Sequence, residues 1–380
     1  PDHAATVIIG GGVVGVATAY ELAKAGVKNV VLIERDSLGA GSTCKAAGGV
    51  RAQFSDELNV QLGARSLETF ENFERIFGCD IDLHRVGYLF LLDSTASVRA
   101  FEQSARLQNS LGIPSEIITP AEAKKLSPLI QTDGLIAAAW TPRDGHCTPE
   151  AVVAGYATAA RRAGAELITG CAATGIDISA ATINAVHTTA GPIKTDTVIC
   201  AAGAWSQQVG AWAGVQLPVE PVRRQILITA PVPGRRDDTP FTIDQSSTLY
   251  FHNEGRGLLM GMSFAAETPG FKLTRSAAWL DSFADALAHR APALNDVGIA
   301  SGWAGLYENT PDHNALIGEA QSASRLLYAT GFSGHGFLQA PAVAEVMRDL
   351  YLRNRPFVDM GALDARRFQS AQTRPEFNIV

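Results

Sequence analysis

The sequence predicts a two-domain α/β fold, in which a parallel-sheet domain is interleaved with an α+β domain built on an antiparallel sheet. Three observations support this prediction: a glycine-rich strand–turn–helix unit near the start, two later segments of similar texture, and intervening segments of short β-rich runs separated by turns. With 380 residues, the chain is longer than one simple core requires, so two intergrown domains are expected.

Composition narrows the class of protein. Hydrophobic residues make up 46% of the chain and charged residues 18%, as in well-packed globular proteins. The net charge is −7 and no Lys/Arg cluster is present, which argues against nucleic acid and anionic membranes as partners. The uncharged run at residues 4–20 is too short and too rich in glycine for a membrane span, and no basic segment precedes it as in a secretory signal.

The cysteines predict free thiols, because they form neither a CxxC pair nor a metal-binding spacing. This usage favours a reducing compartment, so a cytoplasmic protein without a metal site is expected. The five residues are Cys44, Cys79, Cys147, Cys171 and Cys200.

The first element is a short apolar strand at Thr6–Ile9, typical of a buried parallel strand. A G-x-G-x-x-G turn follows, and residues 13–25 have helical spacing of apolar residues up to a stop at Gly26. Residues 29–33 then predict a second strand, with Glu34 at its carboxyl end. This is the order of a Rossmann-type βαβ unit.

Each residue of this motif has a physical role in holding a dinucleotide. Gly10 permits the tight turn, Gly12 lets a pyrophosphate approach the helix start, and Gly15 lets helix and strand pack closely. Glu34 lies 19 residues beyond Gly15, where an acid binds a ribose hydroxyl. The alternative is a glycine-rich turn of an unrelated α/β fold, with Glu34 as a solvated acid.

The next segment distinguishes flavin from nicotinamide. Residues 35–55, "RDSLGAGSTCKAAGGVRAQFS", hold small and hydroxyl side chains that suit close packing on a flat ring system, whereas nicotinamide dehydrogenases usually continue with another βα unit. We therefore predict a flavin, with a nicotinamide dehydrogenase as the alternative. Contacts with the cofactor are predicted for Arg35, Ser42, Thr43 and Lys45.

Two later strand-to-turn crossings complete the predicted cofactor site. Residues 197–202 read as a strand running into Gly203 and Trp205. Leu326–Thr330 reads as another strand, followed by a glycine loop and a helix over residues 338–351 with Pro341 in its first turn. The start of that helix would direct its partial positive charge at the flavin. The loop residues assigned to the cofactor are Gly334, His335, Gly336 and Phe337.

Motifs along nearly the whole chain resemble the flavin amine oxidoreductases of the D-amino-acid oxidase superfamily. They are "IIGGGVVGVATAYELAKAG", "VLIERD", "GAGST", "TVICAAGAWS", "YENTPDHNALIG" and "ATGFSGHGFLQAPAVAEVM". "GSTCKAAGGVRAQF" with "VGYLFLL" is most similar to proline-dehydrogenase-type β subunits. The resemblance implies FAD and oxidation of the C–N bond of a small amino acid or N-alkyl amino acid. Hydride transfer to flavin N5 would leave an imine that water hydrolyses.

The chain departs from its superfamily at four positions. Tyr307 replaces the arginine that some members use to bind the substrate carboxylate, and Leu338 replaces a lysine used by others. Gly305 stands where some members attach flavin to a cysteine, so noncovalent FAD is expected. Leu259 stands where an oxygen-activating lysine occurs, which favours a dehydrogenase or an oxidase with another cation. The acceptor is O2 or a partner electron-transfer subunit.

Four residues are predicted to act on the substrate. Arg51 is the best remaining cation for the carboxylate, with Lys45 behind it, although an interdomain salt bridge is the alternative. Tyr250 and Tyr307 offer hydroxyls, and His335 would lie beside the flavin without acting as a base. His252 and Glu308 are weaker candidates, and structural roles are expected for both.

The predicted FAD-binding domain is discontinuous and comprises residues 1–80, 146–215 and 310–365. The substrate-binding domain comprises residues 81–145 and 216–309, with helices on one side of its sheet. Residues 366–380 are predicted to be a loosely held tail. Two further hypotheses remain: a catalytic subunit of a multi-protein electron-transfer complex, and a noncatalytic FAD-binding scaffold.

Overall fold

The computed structural model describes residues 1–369 and 373–379, which fold around two large sheets. The strands are β1 (Thr6–Ile9), β2 (Val30–Ile33), β3 (Gly49–Val50), β4 (Tyr88–Leu92), β5 (Glu116–Ile118), β6 (Ala137–Thr141), β7 (Gly145–His146), β8 (Glu166–Ile168), β9 (Ala173–Ser179), β10 (Thr182–Thr188), β11 (Ile193–Lys194), β12 (Val198–Cys200), β13 (Glu220–Thr229), β14 (Phe241–Asp244), β15 (Tyr250–Glu254), β16 (Gly257–Met262), β17 (Ile299–Asn309), β18 (Leu316–Glu319) and β19 (Leu326–Thr330). The helices are α1 (Val13–Lys24), α2 (Glu57–Glu71), α3 (Phe73–Phe77), α4 (Thr95–Ser110), α5 (Pro120–Leu126), α6 (Pro149–Arg162), α7 (Ser206–Trp212), α8 (Ala277–Arg290) and α9 (Gly336–Tyr351).

The first sheet has the order β18–β19–β12–β1–β2–β8. All neighbours in it are parallel except β18, which runs antiparallel at the edge. Ile8 and Leu32 on one face pack in a core with α1, α6 and α9, and Val7 and Val31 on the other face pack with β9, β10 and α7. Cover on both faces explains why β1 and β2 are wholly apolar or buried runs.

The second sheet has the order β17–β13–β16–β15–β14–β4–β6–β5 and is antiparallel apart from the β4–β14 pair. Side chains alternate between its faces, so Leu89 packs in a core with Trp279 of α8, whereas Tyr88 and Tyr250 lie on the opposite face. This arrangement confirms the predicted mixed α/β fold with an antiparallel second sheet.

The two sheets draw their strands from different stretches of the chain. Strands of the first sheet lie within residues 1–80, 146–215 and 310–365, and those of the second lie within 81–145 and 216–309. We propose that the chain divides into two domains at these boundaries.

The last helix begins earlier than the sequence predicts. Its N-cap is His335 and its first residue is Gly336, so Pro341 is the sixth helical residue and lies beyond the first turn. The prediction of Pro341 in the first turn was therefore wrong. A proline at this place removes the N–H that would bond the Phe337 carbonyl four residues earlier.

The C-terminal residues are packed more tightly than a loose tail. Glu376 and Asn378 are 1% and 2% exposed. The Glu376 carboxylate accepts hydrogen bonds from the Ser55 N–H at 2.9 Å, the Asp56 N–H at 3.1 Å and the Asn59 side chain at 3.0 Å. The expectation of a loosely held tail was wrong for these residues, because a buried carboxylate needs such partners and finds them at the start of α2. Residues 370–372 and 380 lie outside the described residues.

The five cysteines are free thiols. Within residues 1–369 and 373–379, no helix is long and apolar enough to cross a membrane.

Candidate active site

A large cleft opens at the carboxyl ends of β1, β2 and β12, with an empty volume of about 1410 Å3. The chain continues from β1 to β2 on one side of β1, and the later strand β12 lies on the other side. The strand order therefore reverses at β1, and such switch points are where open α/β sheets bind ligands. Gly10, Gly12 and Glu34 line it, together with Ser42, Thr43 and residues of β17 and the β19–α9 loop.

The turn between β1 and α1 requires glycine at two positions. Gly10 has φ of +114°, and a Cβ there would lie 2.3 Å from the Ala201 carbonyl oxygen. A Cβ on Gly15 would lie 2.0 Å from the Gly10 carbonyl oxygen. The turn therefore packs backbone directly on backbone, which leaves the cleft floor free of side chains.

The start of α1 is suited to an anion. Its N-cap is Gly12, which has no side chain to cap the helix, and its first turn carries no acidic residue. The Val13 N–H donates to the Thr43 hydroxyl at 3.1 Å, which fixes the following segment against the helix start. A phosphate group is the ligand that this end of a 12-residue helix favours.

Glu34 is held in one orientation at the cleft wall. Its carboxylate accepts hydrogen bonds from the Gly11 N–H at 2.7 Å and the Asp36 N–H at 2.9 Å. The guanidinium of Arg35 lies over the Trp205 ring at 3.9 Å, and both residues also line the cleft. A fixed acid and a flat stacked pair suit a ribose and an adenine ring.

Hydrogen bonds join the segment around Ser42 and Lys45 to β17. The Ser42 hydroxyl donates to the Leu306 carbonyl at 2.6 Å, and the Trp303 indole N–H donates to the Lys45 carbonyl at 3.0 Å. Lys45 in turn donates from Nζ to the Gly41 carbonyl at 3.0 Å. Together these bonds make a rigid wall of a glycine-rich loop, and the two bonds to β17 join residues more than 250 positions apart in sequence.

The β19–α9 loop forms the opposite wall. Gly334 has φ of +98°, and a Cβ there would lie 2.5 Å from the Tyr307 ring. The loop leads to the uncapped start of α9, where Gly336 and Phe337 line the cleft. The helix start therefore presents its partial positive charge to the cleft, as the sequence predicts.

Glu308 is a partly buried carboxyl in the same cleft. It accepts hydrogen bonds from the Thr330 hydroxyl at 2.9 Å and the Gly331 N–H at 3.1 Å. Burial raises the pKa of Glu308 to about 7, although these hydrogen bonds act in the opposite direction. Glu308 therefore lines the site, whereas His252 lines neither cavity and stacks on His146 at 4.0 Å.

A second cavity adjoins the cleft under the antiparallel sheet, with an empty volume of about 700 Å3. It shares Lys45, Arg224, Tyr307, Gly334 and Phe337 with the cleft, so the two cavities have a common wall. No Asp or Glu of the described residues lines the second cavity. Its further lining includes Arg51, Tyr88, Ile226, Phe241, Tyr250, His335 and Leu338.

Arg51 is buried and largely satisfied by other parts of the chain. Its guanidinium donates to the Gln53 carbonyl and, at 2.5 Å, to the Asn378 carbonyl. Nη2 also lies 3.4 Å from His335 Nε2, and the Phe54 ring lies 4.4 Å from the guanidinium carbon. Burial lowers the pKa of Arg51 from its ordinary value.

His335 is held as a neutral imidazole. Burial lowers the pKa of His335 well below its ordinary value, and the charge of Arg51 acts in the same direction. Its ring packs edge-on against Phe54 with centroids 5.1 Å apart. Because a neutral ring has one acceptor nitrogen, His335 is able to accept a hydrogen bond from Arg51.

Three tyrosines border the second cavity with available hydroxyls. The hydroxyls of Tyr88, Tyr250 and Tyr307 have no hydrogen-bond partner in the described part of the chain. Burial raises the pKa of each above its ordinary value, so each remains a neutral donor. Such groups suit the orientation of a small polar ligand.

Asp144 is a buried carboxyl behind Arg51. Its Oδ1 accepts a hydrogen bond from the Ala52 N–H at 2.9 Å, whereas Oδ2 is buried without a partner. Burial raises the pKa of Asp144 to about 7, and the charge of Arg51 opposes this rise. The sequence analysis did not find Asp144, since nothing in its local pattern places it near Arg51.

The structure brings the predicted site residues together around the two cavities. Of those assigned to the cofactor, Gly15 packs under the turn, His335 lines the second cavity and the others line the cleft. Arg51, Tyr250, Tyr307 and His335 line the second cavity. The sequence analysis missed Tyr88 and Arg224. Strand alternation from Ile226 was the signal that could have placed Arg224 on the same face.

The residues present fit an adenine dinucleotide that carries a flavin. The uncapped α1 start suits the pyrophosphate and Glu34 the ribose. Between the rigid wall around Ser42 and Thr43 and the start of α9, the cleft is lined largely by small residues, which leaves room for a flat ring system. The fold and the site thus define a flavin-dependent oxidoreductase with a second cavity beside its cofactor cleft.

Comparisons with known proteins identify the family. Residues 5–350 match the model of the DAO family, described as FAD dependent oxidoreductase, and the chain belongs to this family. The predicted superfamily, the enzyme class and the FAD cofactor are thereby confirmed.

Two of the proteins that the chain resembles are mitochondrial dehydrogenases. The chain is 30% identical over 388 residues to mitochondrial sarcosine dehydrogenase of Mus musculus, with 98% of this chain and 42% of the relative covered. It is 30% identical over 387 residues to mitochondrial dimethylglycine dehydrogenase of the same species, with 97% and 44% covered. The chain thus spans less than half the length of these relatives.

Solved structures match the fold along almost the whole chain. L-proline dehydrogenase from P. horikoshii has a TM-score of 0.92 at 35% identity, with 98% of this chain and 100% of that chain covered. Glycine oxidase from Geobacillus kaustophilus has a TM-score of 0.85 at 26% identity, with 96% and 99% covered.

Proposed function

We propose that the protein oxidises the C–N bond of a small amino acid or N-alkyl amino acid. One observation carries this proposal: a cavity that is lined by cationic side chains, and by no carboxylate from the described part of the chain, shares a wall with the predicted flavin cleft. Such a cavity would hold an anionic substrate beside a flavin bound in the cleft. The names of the relatives, which include sarcosine, dimethylglycine and L-proline dehydrogenases, support the same class of substrate.

The chain contributes mainly binding and orientation. When bound, FAD supplies the two-electron acceptor that takes a hydride from the substrate carbon. The cations that line the cavity favour a carboxylate, and the hydroxyls of Tyr88, Tyr250 and Tyr307 orient the polar groups. The substrate nitrogen must be unprotonated, because its lone pair stabilises the carbon that loses the hydride. Water then hydrolyses the resulting imine.

Other residues condition the cavity. Ile226 and Phe241 give it apolar walls that exclude water and strengthen the charge interactions inside. Neutral His335 accepts from Arg51 and keeps that guanidinium in place. The start of α9 supports negative charge that develops in the cleft during the reaction.

Two electron acceptors fit the proposal, O2 and a partner electron-transfer subunit. Leu259 packs in an apolar cluster with Ile226 and Tyr250, so its strand position supplies no cation for oxygen activation. This supports transfer to a partner, as in a multi-protein amino-acid dehydrogenase complex.

Anaerobic bleaching of the flavin tests the proposal. The holoprotein is mixed without oxygen with a panel of amino acids and N-methyl amino acids while the absorbance of oxidised flavin is followed. We expect at least one of them to bleach the flavin fully. Later admission of air, or of an artificial one-electron acceptor, distinguishes the two acceptors. A flavin that stays oxidised with every compound contradicts the proposal and favours a noncatalytic scaffold.

A further inference from the structure

Arg224 lies on the wall that the cleft and the second cavity share. On β13 it pairs directly with Gly305 of β17, which has no side chain to occupy the space above it. Tyr307 is two residues further along β17, and its ring centroid lies 4.6 Å from the Arg224 guanidinium carbon. Strand register therefore places this cation beside the junction of the two cavities.

The guanidinium of Arg224 has unused donors. Its Nε is buried and has no hydrogen-bond partner. Nη1 donates to the Arg223 carbonyl at 3.2 Å, and no carboxylate in the described ranges forms an ion pair with Arg224. Arg223 differs, because it points to the other face and pairs with Glu267 at 2.7 Å. A buried guanidinium donor without an acceptor is costly unless a ligand supplies one.

The other cations of the cavity are already engaged. Arg51 donates to the carbonyls of Gln53 and Asn378, and its Nη2 lies 3.4 Å from His335 Nε2. Lys45 Nζ is bound by the carbonyls of Ala40 and Gly41. Among the described residues that line this cavity, Arg224 is therefore the cation with N–H groups available to an incoming anion.

We propose that Arg224 binds the carboxylate of the substrate, with the Tyr307 hydroxyl beside it, and that Arg51 is a positioning residue. This inference rests on the proposed amino-acid oxidation. It restricts the substrate to compounds with a free carboxylate, so amides and esters of the same amino acids bind poorly. The charges of Arg224 and Arg51 both act to lower the pKa of Tyr307, so the Tyr307 hydroxyl lies near both cations.

The test uses the holoprotein with acetate and acetamide as unreactive probes, followed through the change in flavin absorbance. We expect acetate to bind and acetamide to bind much more weakly. The Arg224→Met variant should weaken acetate binding by about 10- to 100-fold, the range for lost charge-assisted hydrogen bonds, with FAD still bound. Arg224→Lys should recover part of this loss, and Arg223→Met is the matched control on the opposite face.

Three results would overturn the inference. They are unchanged acetate binding in Arg224→Met, no acetate-dependent change in the unaltered protein, and an Arg224→Met variant that slows only reoxidation by O2. An Arg51→Ala variant that loses acetate binding while Arg224→Met retains it would assign the carboxylate to Arg51. The probe titration does not depend on turnover, so it remains decisive even where no amino acid bleaches the flavin and the proposed function fails.

Discussion

The burial of one residue, Asp144, makes the stability of the folded protein depend on pH. Its carboxyl is fully buried, one oxygen has no partner, and its pKa is raised from 3.8 to about 7. The folded protein therefore holds a proton that the unfolded chain has lost between these two pH values. The stability that this proton contributes is complete below about pH 4 and is lost as pH rises through about 7. Glu308 acts in the same direction.

We expect Asp144→Asn to reduce this pH dependence. The amide keeps an oxygen for the Ala52 N–H but does not ionise, so the variant should gain stability relative to the unaltered protein above pH 7. The gain is about 4 kcal/mol at most, because the pKa of Asp144 rises from 3.8 to about 7 and each unit of pKa shift corresponds to about 1.4 kcal/mol. Thermal unfolding of the apoprotein between pH 5 and pH 8 measures it. Parallel curves for both proteins would show that Asp144 does not carry the effect.

The β1–α1 turn is the element on which FAD binding depends most directly. In Gly10→Ala the new Cβ would meet the Ala201 carbonyl oxygen at 2.3 Å, and φ of +114° would be strained as well. We expect at least about tenfold weaker FAD binding and a loss of about 1–3 kcal/mol in stability, typical of overpacking. The ratio of flavin to protein absorbance after purification reports the loss.

Gly175→Ala on β9 is the matched control, because its Cβ would meet only the His187 side chain at 3.8 Å. We expect that variant to keep its flavin. A Gly10→Ala protein with full flavin content would mean that the turn has room to shift.

The C-terminal segment is a second element with an effect on the site. Glu376→Ala would remove the acceptor of the Ser55 and Asp56 N–H groups and one of the two acceptors of the Asn59 amide, at a cost of about 2–4 kcal/mol. Since Asn378 two residues later accepts from Arg51, the variant should also weaken substrate binding. Urea unfolding and the apparent substrate constant measure the two effects. A stable variant with an altered constant would show that Glu376 acts on the site alone.

Prediction from sequence succeeded where the signal is local. The pattern of residues 6–34 predicts the glycine turn, the helix after it and the position of Glu34 from neighbouring residues alone. In the structure, β1, α1 and β2 end within a residue or two of the predicted positions. The contact of Arg51 with Asn378 joins positions 327 residues apart and leaves no local pattern. Arg224 was missed because two adjacent arginines, Arg223 and Arg224, are typical of the solvent-exposed end of a strand. Only the pairing of Arg224 with Gly305 shows that its side chain has a place at the cavity.

At the scale of the whole molecule, the cleft separates the two sheets and should make the fold depend on its cofactor. We expect added FAD to raise the unfolding temperature of the apoprotein, because a ligand bound only by the folded state adds about 2.7 kcal/mol at 100 times its Kd. Thermal unfolding across an FAD titration measures the shift. AMP, which lacks the flavin, should give a smaller shift, and equal shifts would contradict flavin burial between the sheets.

The pairing of β13 with β17 runs without interruption from Glu220–Asn309 to Ile228–Ser301. Ser42, Lys45, Arg224, Tyr307 and Glu308 all take their places from this one ladder. The loop between β13 and β14, residues 230–240, is therefore free to lengthen, shorten or diversify, whereas β14 and β15 carry Phe241 and Tyr250 of the second cavity. A one-residue insertion inside either strand would instead move Tyr307 and Glu308 to the opposite faces of the sheet. Variation, natural or engineered, is therefore tolerated in the loops and hardly at all within the paired strands.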